Sequence, residues 1–321
     1  MLTFGAVILV VFLAIPEQTM PGLLSGTTAR AAEVITSPFQ NTFAMVRWNT
    51  RLPERIPLIK KYEPFFRAVH VSMPELDKER PAKFHDWETD QAPNTFTIYS
   101  AVARSMKMIL STQPLIDGLL YFHFDAWIDP LAWGDLDRNN IWFLNSSDPV
   151  YGCMNNTKTR KWWGLDKQFH LPALNATRIV DELDAGYEVQ EGYWCIGWSD
   201  IYYIPRRFFV DYILLADIFY EYEVFHEVAI PTMVRIINDT YSHSDAEPAV
   251  HDIRDCWGSC CSTKPSIENV TMKRCGHKLD YLSEPLRTAF FDKLDGQAQM
   301  LGLPAPRDER RSSNASRTSW G

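Results

Sequence analysis

No apolar run in this chain of 321 residues reaches the length of a membrane span, which needs about 20 residues. The nearest approach, residues 2–15, is fourteen residues without a charge. It suits the core of a signal peptide, with Ala29-Arg30-Ala31 as a downstream cleavage motif, or else a short signal anchor. Glycine-rich phosphate loops are also missing. Neither Gly-x-Gly-x-x-Gly nor a P-loop occurs, which argues against a dinucleotide-binding turn and a simple NTPase. His226-Glu227 opens like a metalloprotease helix, but Ile230 stands where the second histidine is required. Gly197-Trp198-Ser199 lacks the closing glycine of a nucleophile elbow, because Ile201 occupies that place. Positive charge is in the minority: 32 Lys and Arg face 40 Asp and Glu, a net charge of −8. With no basic patch, a nucleic-acid partner is disfavoured.

What is present points to an oxidising compartment. Cys153, Cys195, Cys256, Cys260, Cys261 and Cys275 make an even count suited to disulfides. Zinc held by Cys256, Cys260, Cys275 and His277 is the rival, though the spacing fits no standard pattern well. Six Asn-x-Ser/Thr sequons, at Asn145, Asn155, Asn175, Asn238, Asn269 and Asn314, agree with passage through the secretory pathway. Residues 1–36 then read as signal peptide or signal anchor plus stem, with single-pass membrane attachment in the anchor case. Residues 37–300 form one α/β domain, and the polar residues 301–321 a disordered tail. The protein is expected in the Golgi or endoplasmic-reticulum lumen, membrane-anchored or secreted.

Periodicity outlines the domain. Residues 42–48, 68–72 and 119–124 read as buried strands, and 96–110 as an amphipathic helix with Ile98, Val102, Met106 and Ile109 on one face. Ile56, Ile59, Tyr62, Phe65 and Phe66 recur at helical spacing between the first two strands. This alternation predicts parallel βαβ units, hence a mostly parallel central sheet flanked by helices. Residues 73–93 read as a loop. Residues 127–198, with Trp133, Trp142, Trp162, Trp163, Trp194 and Trp198, read as long aromatic loops over the carboxyl edge of the sheet. A short strand over 201–204, a helix over 208–223, and a further helix over 232–237 with Pro231 in its first turn complete the pattern. A cysteine-rich segment follows over 256–275.

The candidate chemistry lies at element ends. Asp125 closes the strand at 119–124, with His123 before it and Asp129 after it. A carboxylate beyond the end of a parallel strand, with an imidazole nearby, suits a divalent cation and the phosphates it neutralises. A turn-capping aspartate is the plainer reading of the same residue. Asp200 and Glu227 are candidate acid–base carboxylates; a turn aspartate and a solvated helix N-terminal glutamate are their structural alternatives. Arg206 and Arg207 could meet a diphosphate.

Taken in order, His123-Phe124-Asp125 after a βαβ half, the aromatic middle, the segment Gly197 to Pro205 and the segment Phe225 to Thr232 resemble the GT-A class of nucleotide-sugar-dependent glycosyltransferases. The chain looks closer still to a set of eukaryotic secretory-pathway proteins of unassigned activity that share the last two motifs. The resemblance covers about residues 42–238. It implies a single GT-A-like domain, a divalent cation (Mn2+ or Mg2+), a nucleotide-sugar donor and a glycan or glycoprotein acceptor. An Asp-x-Asp triplet of that class binds metal and diphosphate; here only its last acid carries over, to Asp125, because His123 replaces the first. Glu227 falls where a late carboxylate meets the acceptor, and Arg47 and Asn49 fall at the end of the first strand, where the donor base and ribose lie. A late histidine sometimes completes the metal shell, with His251 and His277 as candidates. The lost first aspartate also motivates a catalytically inactive carbohydrate-binding relative, and the paired carboxylates a glycosidase using Asp125 or Asp129 with Glu227.

Overall fold

The fold follows from one topological event: a strand that enters the parallel sheet backwards. In the computed structural model, which describes residues 36–48, 55–74, 89–92, 96–144, 152–154, 162, 164–183, 185–244, 248–258 and 263–303, the first half is parallel as its periodicity predicts. Strand β1 (Thr42–Arg47) leads through α1 (Ile56–Ile59) and a 3-10 segment (Lys60–Phe65) to β2 (Ala68–Pro74). Strand β3 (Thr89–Ala92) precedes α2 (Tyr99–Thr112) and β4 (Gly118–His123). β1 pairs in parallel with both β2 and β4. β3, in the stretch expected to be loop, pairs in parallel with β2. Its sequence, Thr-Asp-Gln-Ala, is polar enough to hide a strand that lies at the sheet edge.

The middle of the chain is more regular than its sequence suggests. It contains β5 (Trp127–Ile128), β6 (Ile141–Phe143), β7 (Gly152–Met154), α3 (His170–Glu182) and β8 (Trp194–Ile196). The buried face of α3 is His170, Ala173, Ala176, Thr177 and Val180. That is good helical spacing, but built from small residues that carry little hydrophobic signal.

Strand β9 (Ile201–Pro205) then inserts between β4 and β6 and runs antiparallel to both. After it come α4 (Phe209–Glu221), α5 (His226–Ser244), β10 (Val250–Asp252), β11 (Cys256–Trp257), α6 (Ile267–Met272), β12 (Cys275–Gly276) and α7 (Glu284–Met300). The main sheet has the order β10-β6-β9-β4-β1-β2-β3. It is mostly parallel and is accompanied by seven α-helices among the described residues. None of these helices is long and apolar enough to cross a membrane.

Packing explains the tight points. Trp133 stacks on Trp142, and Trp142 stacks on Tyr203, all buried. At Gly118, in register with Pro205, a Cβ would run into the Tyr203 ring, so only glycine admits that aromatic stack. Helix α5 begins six residues earlier than the position after Pro231 that its sequence suggests, which puts the proline inside it. Proline cannot donate to the carbonyl four residues back. That carbonyl belongs to Glu227, and it accepts instead from the Gly197 amide at 3.0 Å. The amide of Cys195 likewise donates to Thr232 Oγ1 at 2.9 Å.

Two disulfides are present among the described residues: Cys153–Cys195, joining β7 to β8, and Cys256–Cys275, joining β11 to β12. The second bridge removes both cysteines from the zinc alternative. Cys260, Cys261, Asn49, the sequons Asn145, Asn155 and Asn314, and the segments 1–35 and 304–321 lie outside the described residues. The expectations for leader, stem and tail fall there.

Candidate metal and acid–base site

The backward strand builds the site. Because β9 opposes β4, its first residues lie beside the last residues of β4, with Ile201 in register with Phe122. The His123 amide donates to the Asp200 carbonyl at 2.9 Å. This places the two side chains together: His123 Nδ1 is 3.0 Å from Asp200 Oδ1. The third member arrives from the C-terminal region. β12 pairs with β5, which follows Asp125 closely, so the residue after β12, His277, is delivered to the same edge. His277 Nε2 lies 3.2 Å from Asp125 Oδ1, and Nδ1 lies 3.6 Å from Asp200 Oδ2. The Leu279 amide donates to the Asp125 carbonyl and secures the turn.

His123, Asp200 and His277 offer one ligand atom each within 4.8 Å of one another. Trp198 donates its indole N–H to Asp200 Oδ2, and its ring lies 5.8 Å from that of His277. Asp200 and His277 are each 12% exposed at the side chain, Asp125 32%, so the cluster meets solvent on the Asp125 side. Two imidazoles and a carboxylate, gathered under cover, form a donor set that fits a divalent ion.

The electrostatics drive the groups of the cluster in different directions. Burial tends to lower the His277 pKa, but the Asp125 hydrogen bond and the Asp200 charge outweigh it, and the net direction is upward. Burial tends to raise Asp125, yet the hydrogen bond from His277 and the His277 and His123 charges leave it below the ordinary carboxylate range. For His123, burial outweighs the Asp200 and Asp125 charges and lowers its pKa. Its neighbour His226, 6.3 Å away between ring centroids, is pushed down to about 3, first by burial and then by His123. Glu227 shares this environment. Burial, then the Asp200 charge, pushes its carboxyl up to about 7, with His277 opposing. Its Oε2 is buried without a hydrogen-bond partner.

The remaining candidates are placed elsewhere. Asp129 caps the 3-10 turn at Pro130–Trp133 through Leu131, and pairs with Lys293 at 2.7 Å and Gln297 at 2.5 Å. It belongs to the docking of α7, not to the cluster. Arg206 and Arg207 follow β9, and since β9 is antiparallel they emerge at the opposite sheet edge from Asp200. Arg206 donates to the carbonyl of Gln113, which caps α2, and to that of Ile116 in the turn beyond it, and Arg207 to the Asn139 carbonyl. They therefore lie away from His123, Asp125 and Asp200, engaged by main-chain carbonyls. Arg47 is in register with His123 but fully buried, and its guanidinium donates to Ser72 Oγ at 2.9 Å. Its charge reaches His123 and His226 through space, lowering both. His251 sits on β10 in register with Trp142, and the charge it bears on is Asp135.

Of the two late histidines, His277 is thus the one at the cluster. Trp198 was not singled out for this role by sequence. The available signal was the spacing Trp198-Ser199-Asp200, in which an indole N–H can reach a carboxylate two residues on. No family profile matches the chain, and no curated protein matches it.

Proposed function

We propose that the chain is a GT-A-type glycosyltransferase that moves a sugar from a nucleotide-sugar donor to a glycan or glycoprotein acceptor in the lumen of the Golgi or endoplasmic reticulum. One observation carries the reading: His123 and Asp125 at the end of β4, Asp200 and His277 gather at one edge of the sheet from separate stretches of chain, with Glu227 close enough to feel the charges of Asp200 and His277. The resemblance calls for a strand-end acid, a late carboxylate and a late histidine, and Asp125, Glu227 and His277 supply them in that order. The disulfides and sequons agree with an oxidising lumen.

His123, Asp200 and His277 would hold a divalent ion, which when bound offsets negative charge on the donor diphosphate and on the leaving nucleoside diphosphate. Glu227, with a pKa of about 7, is poised to take the proton of an acceptor hydroxyl near neutral pH. Trp198 and Asp125 hold the orientation of Asp200 and His277. The glycosidase alternative loses Asp129, which is engaged by Lys293.

The test is calorimetric binding of nucleoside diphosphates with and without added divalent cation, together with donor turnover. The expected result is cation-dependent binding that weakens in Asp125→Ala, and turnover that falls about 10²–10⁴-fold in Glu227→Gln with binding kept. Equal nucleotide binding by wild type and Asp125→Ala, or none by either, would remove the reading. Glycan binding without nucleotide affinity would favour the inactive carbohydrate-binding relative.

A further inference from the structure

The donor set decides which cation the cluster takes, and it departs from the oxygen-rich pair that the resemblance implies. We propose that His277 Nδ1, His123 and Asp200 ligate a late first-row divalent ion of the zinc and cobalt kind in preference to magnesium, and that Asp125 orients His277 instead of binding the ion. The proposal deepens the glycosyltransferase reading and rests on it only for the presence of a divalent ion.

Three observations support it. The first is chemical. Magnesium demands octahedral oxygen coordination and gives up water reluctantly, whereas imidazole nitrogen suits zinc and its neighbours. Two of the three ligands here are imidazoles. The second is the arrangement around His277. A metal-bound histidine ordinarily donates its second ring N–H to a carboxylate, which fixes the tautomer and turns the other nitrogen to the metal. His277 Nε2 lies 3.2 Å from Asp125 Oδ1, while Nδ1 is buried with no hydrogen-bond partner and faces Asp200 Oδ2 at 3.6 Å. The third is the hold on Asp200 itself, whose Oδ2 accepts from Trp198, leaving Oδ1 beside His123.

The experiment uses the full chain with its disulfides intact, stripped of metal by chelation and titrated with Co2+ by visible absorption. The expected result is a ligand-field band that Zn2+ displaces and excess Mg2+ does not. His277→Gln and Asp200→Asn should abolish the band, and His251→Gln should leave it unchanged. Asp125→Asn should weaken Co2+ affinity about 10–100-fold, as loss of an orienting carboxylate does. Thermal melts of each variant separate loss of the site from loss of the fold, and the wild-type competition order needs no variant. Displacement by Mg2+ as readily as by Zn2+ overturns the selectivity and leaves the glycosyltransferase reading intact. A folded Asp125→Asn without the band, beside an Asp200→Asn that keeps it, overturns the assignment of roles. Absence of any band in a protein that still binds nucleoside diphosphate overturns the metal centre alone, whereas absence of both removes the functional reading with it.

Discussion

Replacing Glu227 with glutamine should make the protein more stable, and only at high pH. The carboxyl is pushed from 4.5 to about 7 by burial and by the Asp200 charge. A folded-state pKa above the unfolded value means that the native protein holds this proton more tightly. The stability it contributes is therefore fully present below about pH 4.5, falls as pH rises, and is lost above about pH 7. At about 1.4 kcal/mol for each pH unit, the difference between the two values amounts to about 3 kcal/mol. Glutamine keeps the shape, cannot ionise, and escapes that loss. Urea unfolding of wild type and Glu227→Gln, in chelator, should give similar free energies near about pH 4 and a gap approaching 3 kcal/mol near about pH 9. His277 is present in both proteins, so its own contribution largely cancels. A gap of the same size at both ends of the range would refute the claim that this carboxyl is desolvated beside Asp200.

Other perturbations test the scaffold. Gly276→Ala drives a Cβ into the Trp127 indole, so strand β12 must shift and carry His277 with it; we expect a loss of about 1–3 kcal/mol in unfolding free energy together with a weaker Co2+ band. Thr232→Val strands the buried Cys195 amide and should cost about 1–3 kcal/mol in urea, with a cost near zero ruling out the hydrogen bond as a contributor. Arg206→Gln removes the donors that satisfy the end of α2 and should lower stability by about 1–2 kcal/mol. Its nucleotide and metal affinities should not change; a fall in either would return the residue to the site.

The first half of the sheet was legible because β1 and β4 are buried throughout and β2 over most of its length, with helical apolar spacing between them. Asp125 stood out for the same reason, as the first charge after a buried run. The antiparallel sense of β9 was not legible. Strand direction leaves no mark on the residue pattern of a short buried strand. That one hidden fact moved Arg206 and Arg207 to the far edge and brought Asp200 to the near one. Helix α3 escaped notice because alanine and threonine fill its inner face. His277 could be suspected only as one of two late histidines, because what brings it to Asp125 is a two-residue strand pairing across most of the domain.

Pro231 gives the loop before Asp200 its point of attachment. An ordinary residue there would donate to the Glu227 oxygen as well, and the Gly197 amide would share an acceptor it now has from the helix side to itself. The proline, usually a defect in such a position, works here as a vacancy kept open for a guest. The backbone oxygen of the proposed proton acceptor and the approach to a proposed metal ligand are tied by one bond, and a substitution that mends the helix puts a competing donor on it.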